Sequence, residues 1–340
     1  METKGIFLIK NGKSEVAFKE KEYNLPPLKN EEVLIETEAF GLNYAEVMAR
    51  NGLYQDCPEL PCILGYEAVG TVIESKKNKE LIGKRVLAFC RFGAYSKHVI
   101  TNENAIIEIN DINCADALAL CTQGVTAYYM AHYISPIKKE DRVLIHAAAG
   151  GVGSILIQLA KINGGTVYAK VGGSEKEAIA KKLGADYVIN YKKNEYTNEL
   201  TKLLRNKKLD AVFNPVGGST FKKDFNLLDS GGRIYLYGAS ELMRKGWKIF
   251  NLFRFLKKMG ILLPVKLIAS SKSIIGVNML RIADNKPKVM QECLVNLMKL
   301  YNEKSLKPEI EKSFSASEIV DAHNLLESGK SKGKIVLYWD

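Results

Sequence analysis

Between Asp141 and Tyr237 the apolar positions switch repeatedly between two rhythms. Val143 to Ile145 is an aliphatic run of strand type, and Ile155, Leu156, Leu159 and Ile162 recur behind it at helical spacing. The alternation continues. Thr166 to Ala169 predicts a strand and Lys176 to Leu183 a helix, and Tyr187 to Ile189 with Glu195 to Leu204 repeats the pair. Ala211 to Phe213, a glycine-led segment from Gly217 to Leu228, and Ile234 to Tyr237 follow. Strands separated by single helices predict an α/β fold, a doubly wound parallel sheet of the Rossmann kind with helices on both faces. Upstream the pattern differs: short strand-like pieces at Val33 to Ile35, Ala68 to Ile73, Arg85 to Phe89 and Ser96 to Val99 are broken by Gly, Pro and Asn. They predict a compact β-rich domain. A helical run, Val289 to Leu300, and a last strand, Lys334 to Tyr338, are expected to fold back onto it. The expected division is therefore 1–122 with 279–340 against 123–278.

Length and charge narrow the picture only a little. A chain of 340 residues with 46% hydrophobic content has material for two cored domains. Its start lacks the order of a secretion signal and no apolar run has the length of a membrane span, so the expected location is cytoplasmic. Six cysteines show neither a C-x-x-C pair nor zinc-ligand spacing. The net charge of +11 would suit nucleic acid, anionic lipid or a phosphorylated ligand, but no nucleic-acid-binding signature accompanies it, and no nucleic-acid partner is expected.

Chemistry enters at the turn after the first strand of the alternating region. Ala148-Ala149-Gly150-Gly151-Val152-Gly153 keeps the second and third glycines of G-x-G-x-x-G and puts Ala at the first. A backbone without bulk at a helix N-terminus admits a phosphate group. Preference for NAD would place a carboxylate at the end of the second strand, where Ala169-Lys170-Val171-Gly172-Gly173-Ser174 has none. Lys176 and Tyr191, with Gly172 and Gly173, suit a 2′-phosphate, and NADPH is the predicted cofactor. Glu175 is expected to point outward, and Lys176 has the alternative of being a solvated helix-start lysine. Val216 in Asn214-Pro215-Val216-Gly217-Gly218, and Gly238 and Ala239 after the fifth strand, lie where loops approach a dinucleotide.

A series of further strings resembles the medium-chain dehydrogenase/reductase superfamily, in particular its zinc-free quinone oxidoreductase branch. They are Gly41-Leu42-Asn43-Tyr44-Ala45-Glu46, Arg50-Asn51-Gly52-Leu53-Tyr54, Pro61 to Gly70, Gly124-Val125-Thr126-Ala127-Tyr128, Ala148 to Gly153, Val216-Gly217-Gly218 and Gly333-Lys334-Ile335-Val336-Leu337. The resemblance spans essentially the whole chain and implies a GroES-like fold for the β-rich domain. Where zinc alcohol dehydrogenases have Gly-His-Glu, this chain has Gly65-Tyr66-Glu67. It has no cysteine between Asn43 and Glu46, and the four-cysteine lobe is missing, so no metal site is expected. The resemblance implies hydride transfer from the nicotinamide to a small hydrophobic quinone or α,β-unsaturated carbonyl. It points to Tyr54 as hydrogen-bond donor to the developing oxyanion, Asn43 as orienting group and Thr126 near the nicotinamide. Asn43 has the alternative of capping a helix from Tyr44, and Tyr54 that of plain packing. His132 and His146 show no partner at suggestive spacing and receive no catalytic role. At Asn214 the family more often has Asp, which leaves the part played by this residue open.

One segment stands apart. Met243 to Leu267, within an insert at 241–267, is basic and amphipathic. On a helix Ile249, Leu252, Phe253, Leu256 and Met259 share one face, while Arg244, Lys248, Asn251, Arg254 and Lys258 share another. It resembles the long segment of the vesicle amine transport protein-like members. Either it is a lid packed by its apolar face, or, with Trp247, it lies on an anionic membrane. This leaves a second reading, a nucleotide-binding, lipid-associated protein with vestigial chemistry, and a third, enoyl-thioester reduction. The strand near Ser273 to Val277 is expected to pair with its mate in a homodimer.

Overall fold

The computed structural model describes residues 1–243, 249–260 and 263–339. They form two units: Met1–Val125 with Ile282–Met298 and Lys307–Asp340, and Thr126–Arg281 with Lys299–Leu306.

The second unit holds the alternating region. Six parallel strands lie in the order Tyr187–Asn190, Thr166–Val171, Arg142–His146, Leu209–Asn214, Leu228–Leu236, Ser273–Gly276. Counted along this unit the order is 3-2-1-4-5-6, the doubly wound arrangement, and it reverses beside Arg142–His146. Val143, Leu144, Ile145, Val167, Ala169, Val212 and Phe213 are buried, because a parallel strand is covered on both faces. One core cluster joins Leu144, Tyr168 and Val212 to Tyr196, Leu200 and Leu204 on the helix Tyr196–Leu204. The glycine-led segment is a short turn, Gly218–Thr220, leading into the helix Phe221–Leu227.

The first unit is mostly strand. Its larger sheet runs Ile310–Ser315, Lys334–Tyr338, Glu32–Leu42, Glu67–Ser75, Arg85–Phe89, Ile106–Glu108, with His98–Asn102 also paired to Glu32–Leu42. The C-terminal strand folds back as its pattern predicts, pairing Val336 with Gly41 and Leu337 with Phe40. This is the GroES-like part.

The insert departs from the face drawn for it. It holds two helices, Ile249–Met259 and Pro264–Ser270; Arg244, Trp247 and Lys248, and the side chains of Ile249, Asn251 and Leu252, lie outside the described residues. Phe253 and Leu256, which a lid would pack and a membrane-surface helix would leave outward, are 67% and 52% exposed. Phe255 and Met259 turn inward instead, Met259 onto the core cluster and Phe255 onto the Gly217-Gly218 turn. A Cβ on either glycine would come within 3.0 Å of the Phe255 ring. Lys258, placed on the polar face, is half-buried with its Nζ 2.5 Å from Glu241. Two glycines with positive φ leave a flat seat that an aromatic ring fills, and this selects the inward stripe.

Candidate functional site

In the second unit three loops meet at the carboxyl ends of adjacent strands. The first leaves Arg142–His146 through Ala147, which has a φ of 49°, and the helix Gly151–Ile162 starts after Gly150. The first-turn amides of Gly151, Val152 and Gly153 have no acceptor within their helix, so they are free to meet an anion. Gly153 has no room for a side chain: a Cβ there would lie 2.4 Å from the Ala147 carbonyl oxygen and 2.7 Å from the Ala148 Cα. Ala148 and Ala149 are buried beneath the turn.

The second loop follows Thr166–Val171. The Ala148 amide donates to the Lys170 carbonyl at 3.2 Å and the Tyr191 amide to that of Val171 at 3.1 Å, so the first loop, Gly172-Gly173 and Tyr191 adjoin. A Cβ on Gly172 would come 2.6 Å from the Tyr191 hydroxyl, whereas one on Gly173 would meet nothing within 4 Å. Tyr191 is exposed, Lys176 half-buried in the helix Ser174–Lys182, and Glu175 exposed.

The third loop follows Leu209–Asn214. Asn214 Oδ1 accepts from the Val216 amide at 2.8 Å and the Gly217 amide at 2.9 Å, while Nδ2 donates to Asp224 Oδ2 at 2.5 Å and Thr220 Oγ1 at 2.8 Å. An aspartate could make the first pair of bonds but not the second, and it would set two carboxylates together in the interior. Asparagine therefore fits this structure. The Ser240 amide donates to the Pro215 carbonyl and the Glu241 amide to that of Val216, bringing the Gly238-Ala239 segment against Val216. Glu241 also accepts from Ser219 and pairs with Lys258; burial pushes its carboxyl up, but these bonds outweigh burial and hold it at about 2. Thr126 is buried in the segment Val125–Tyr128.

Beneath these loops lies a network absent from the sequence reading. His146 is buried, its Nε2 2.9 Å from Asp224 Oδ2 and its Nδ1 3.2 Å from Lys170 Nζ. The Tyr196 hydroxyl donates to Asp224 Oδ1 at 2.8 Å. Burial lowers the His146 pKa, the ammonium of Lys170 adds to this, and Asp224 opposes both. A lowered pKa favours the neutral imidazole between the lysine and the carboxylate. Asp224 lies on the helix Phe221–Leu227, too far along the chain for any spacing rule to pair it with His146.

In the first unit Asn43 is the N-cap of the helix Tyr44–Arg50, in a capping box with Glu46. The same side chain donates from Nδ2 to Glu67 Oε1 at 2.9 Å, and its Oδ1 accepts from Lys334 Nζ at 2.9 Å. Lys334 and Glu67 form a fully buried ion pair, and the Thr122 amide donates to Glu67 Oε2 at 2.7 Å. Burial works against the Glu67 charge, but Lys334 and Thr122 outweigh it and hold the carboxyl below its ordinary value. Glu46 has the opposite outcome: burial pushes it up to about 8 against the pull of Lys334. Tyr54 is half-buried, its ring 6.3 Å from that of Tyr66 and edge-on. Burial, then the adjoining Tyr54 phenol, then Glu46 raise the Tyr66 pKa. Of this cluster Tyr54 and Asn43 are readable from the motif strings; Glu46, Glu67 and Lys334 are not singled out. The available signal is a charged residue opening each of two strands directly before apolar residues, Ala68-Val69 in Glu67–Ser75 and Ile335-Val336-Leu337 in Lys334–Tyr338.

These residues do not fit a zinc ion. An amide and a phenol stand where zinc alcohol dehydrogenases have ligands, and of the two carboxylates beside them Glu67 is already paired with the Lys334 ammonium and Glu46 is bound to the Asn43 amide. Among the described residues no group of three His, Cys, Asp or Glu side chains could hold a metal.

Both units have known relatives. The alcohol dehydrogenase GroES-like domain family matches residues 29–133, and the family described as zinc-binding dehydrogenase matches 151–295. The chain belongs to the medium-chain dehydrogenase/reductase superfamily. The synaptic vesicle membrane protein VAT-1 homolog of Danio rerio is 30% identical over 319 residues, covering 92% of this chain and 65% of the relative. Quinone oxidoreductase 1 of Escherichia coli is 36% identical over 219 residues, 63% of this chain and 66% of the relative. The chain thus spans about two thirds of the length of each. The structure of Escherichia coli quinone oxidoreductase complexed with NADPH superposes with a TM-score of 0.86 at 27% identity, over 98% of this chain and 99% of that one. Within the superfamily the chain falls in the zinc-free quinone oxidoreductase branch, close to the VAT-1-like members.

Proposed function

We propose that this chain is an NADPH-dependent, zinc-independent oxidoreductase that delivers hydride to a quinone or an α,β-unsaturated carbonyl. The observation that carries the reading is the cradle of the second unit. The Gly151 to Gly153 amides have no acceptor within their helix, Gly172, Gly173 and Tyr191 adjoin, Lys176 lies in the first turn of the next helix, and no carboxylate closes the second strand. Ala149 and Gly150 shape the turn, and Val216, Gly238, Ala239 and Thr126 are further contacts for the same ligand. The bound nicotinamide supplies the hydride. The chain's own residues position the acceptor and answer the charge that grows on its oxygen. Tyr54 donates its phenol proton to that oxygen in a hydrogen bond, and Asn43, fixed between Glu67 and Lys334, orients the helix start from which Tyr54's loop follows. The open sheet edge at Ser273–Gly276 takes a second copy of the chain in a dimer.

Purified protein is expected to oxidise NADPH on addition of simple quinones or alkenals, and Tyr54→Phe to lower kcat by roughly 10²-fold, the scale of one lost oxyanion donor. Steady-state assays across an acceptor panel check both. An unchanged Tyr54→Phe rate removes the donor role, and silence across the panel removes the activity.

The insert favours a second reading beside this one. Phe253, Leu256, Leu263, Val265 and Ile268 are all exposed, with the exposed cations Arg254, Lys257 and Lys266 among them. An apolar surface ringed by positive charge suits an anionic lipid surface. No helix of the described residues is long and apolar enough to cross a membrane. Vesicles containing phosphatidylserine are expected to float the protein, and neutral phosphatidylcholine vesicles are not. Phe253→Glu with Ile268→Glu is expected to abolish flotation. Binding indifferent to lipid charge and to these substitutions would dismiss the membrane surface.

A further inference from the structure

Two cysteines lie in the stretch that carries Tyr54. Between the helix Tyr44–Arg50 and the strand Cys62–Ile63 the chain forms no helix or strand, and Pro58 to Pro61, between Cys57 and Cys62, are exposed. The thiols at the two ends of this exposed turn are hydrogen-bonded to each other. Their settings differ. Cys57 is half-buried and Cys62 is 8% exposed. Burial raises both pKa values, but the bond between the thiols then acts in opposite directions, lowering Cys57 while Cys62 is pushed up to about 12. Cys62 is therefore the S–H donor, and Cys57, the more accessible sulfur, is also the one on which negative charge is easier to place. The strand end is fixed and the turn end is not. Cys62 pairs with Leu8 in the sheet, whereas the Cys57 amide donates to the Tyr54 carbonyl at 3.1 Å. A covalent S–S bond, about 2.0 Å, is much shorter than a thiol hydrogen bond, so closing it draws Cys57 toward the sheet, and the turn from Tyr54 follows.

We propose that Cys57 and Cys62 are a modification site, a dithiol that a hydroperoxide converts to a disulfide, latching the Tyr54 turn to the strand Cys62–Ile63. The Cys57 sulfur takes one peroxide oxygen as the O–O bond breaks, giving a sulfenic acid and an alcohol, or water where the oxidant is hydrogen peroxide. The Cys62 sulfur then displaces that oxygen as water, and the S–S bond forms. Two electrons and both thiol hydrogens pass to the peroxide. The bond is independent of the function proposed above; only its effect on hydride transfer rests on the Tyr54 reading.

Trypsin releases both cysteines, and no other, in the one peptide Asn51–Lys76. The reduced chain, blocked with iodoacetamide in denaturant and digested, is expected to give this peptide with both thiols alkylated. After hydrogen peroxide acts on the native chain, the peptide is expected without alkyl groups and lighter by the two thiol hydrogens, and dithiothreitol restores the first form. Cys62→Ser removes the resolving thiol, so Cys57 is expected to stop at the sulfenic acid and to be trapped by dimedone; no adduct would overturn Cys57 as the attacking sulfur. A peroxide-treated peptide still fully alkylated, one carrying added oxygen atoms in place of the bond, or cross-linked chains would overturn the site, and the wild-type digest decides this whether or not the variant folds. The quinone reductase rate of the oxidised chain is expected to fall about 10²-fold, the scale of a reacting group displaced by ~1 Å, and to return with dithiothreitol. An unchanged rate in a chain whose peptide shows the bond would overturn the latch alone. No rate before oxidation would count against the reductase reading and not against the bond.

Discussion

Gly153→Ala is expected to cost the chain its nucleotide affinity by more than about 10²-fold and to destabilise the second unit by roughly 1–3 kcal/mol, the range for an overpacked interior site. The added Cβ meets the Ala147 carbonyl oxygen at 2.4 Å and the Ala148 Cα and carbonyl carbon at 2.7 and 2.9 Å. All three are backbone atoms, so no side chain can swing aside. The turn itself must open, and opening it moves the Gly151 to Gly153 amides out of register with an anion. Gly150→Ala is the matched control: its φ is −86° and its Cβ would meet only the Ala147 oxygen, at 3.2 Å. That variant should keep its melting temperature within a few degrees. NADPH titration by fluorescence, with thermal melts of both variants, checks the pair. A Gly153→Ala chain that binds NADPH within a few-fold of wild type would show that the turn does not hold the phosphates.

What the sequence makes legible follows from the range over which each interaction acts. The parallel sheet is readable because strand and helix rhythms are local, and the observed strands contain each predicted run in this unit's first four positions. The glycine turn is readable for the same reason: a strand, a tight turn and a helix start occupy consecutive residues. Lys334 and Glu67 are not, since 267 residues separate them and only the sheet register beside Glu32–Leu42 brings them together. His146 looks isolated for a similar reason, as its acid comes from the helix after the fourth strand. The insert is a different case. Amphipathicity announces that some face packs, but the choice of face depends on the glycine seat at Gly217-Gly218, which lies outside the helix being read.

Lys334→Met is expected to destabilise the first unit by roughly 3–5 kcal/mol, because it leaves Glu67 buried with its charge uncompensated beside Glu46. The loss should depend on pH in a definite direction. Glu46 is pushed up to about 8 by burial, so the folded chain holds a proton that the unfolded chain releases, and its contribution falls as pH rises from about 4.5 to about 8. Glu67 behaves oppositely in the wild-type chain. Lys334 and Thr122 overcome burial and lower its pKa, so its contribution is present above the ordinary carboxylate value and is lost as pH falls through the folded one. Without the ammonium, burial governs both carboxyls, and Glu67 joins Glu46 in favouring the protonated form. The deficit of Lys334→Met should therefore be larger at pH 8.5 than at pH 5, as read from urea melts at the two values. Adding Glu67→Gln should recover much of it at pH 8.5, since a neutral amide has no buried charge to compensate and its carbonyl oxygen can still accept from the Thr122 amide. Equal deficits at both pH values, or a double variant no more stable than Lys334→Met alone, would mean that the lysine acts through packing of its stem and not through its charge.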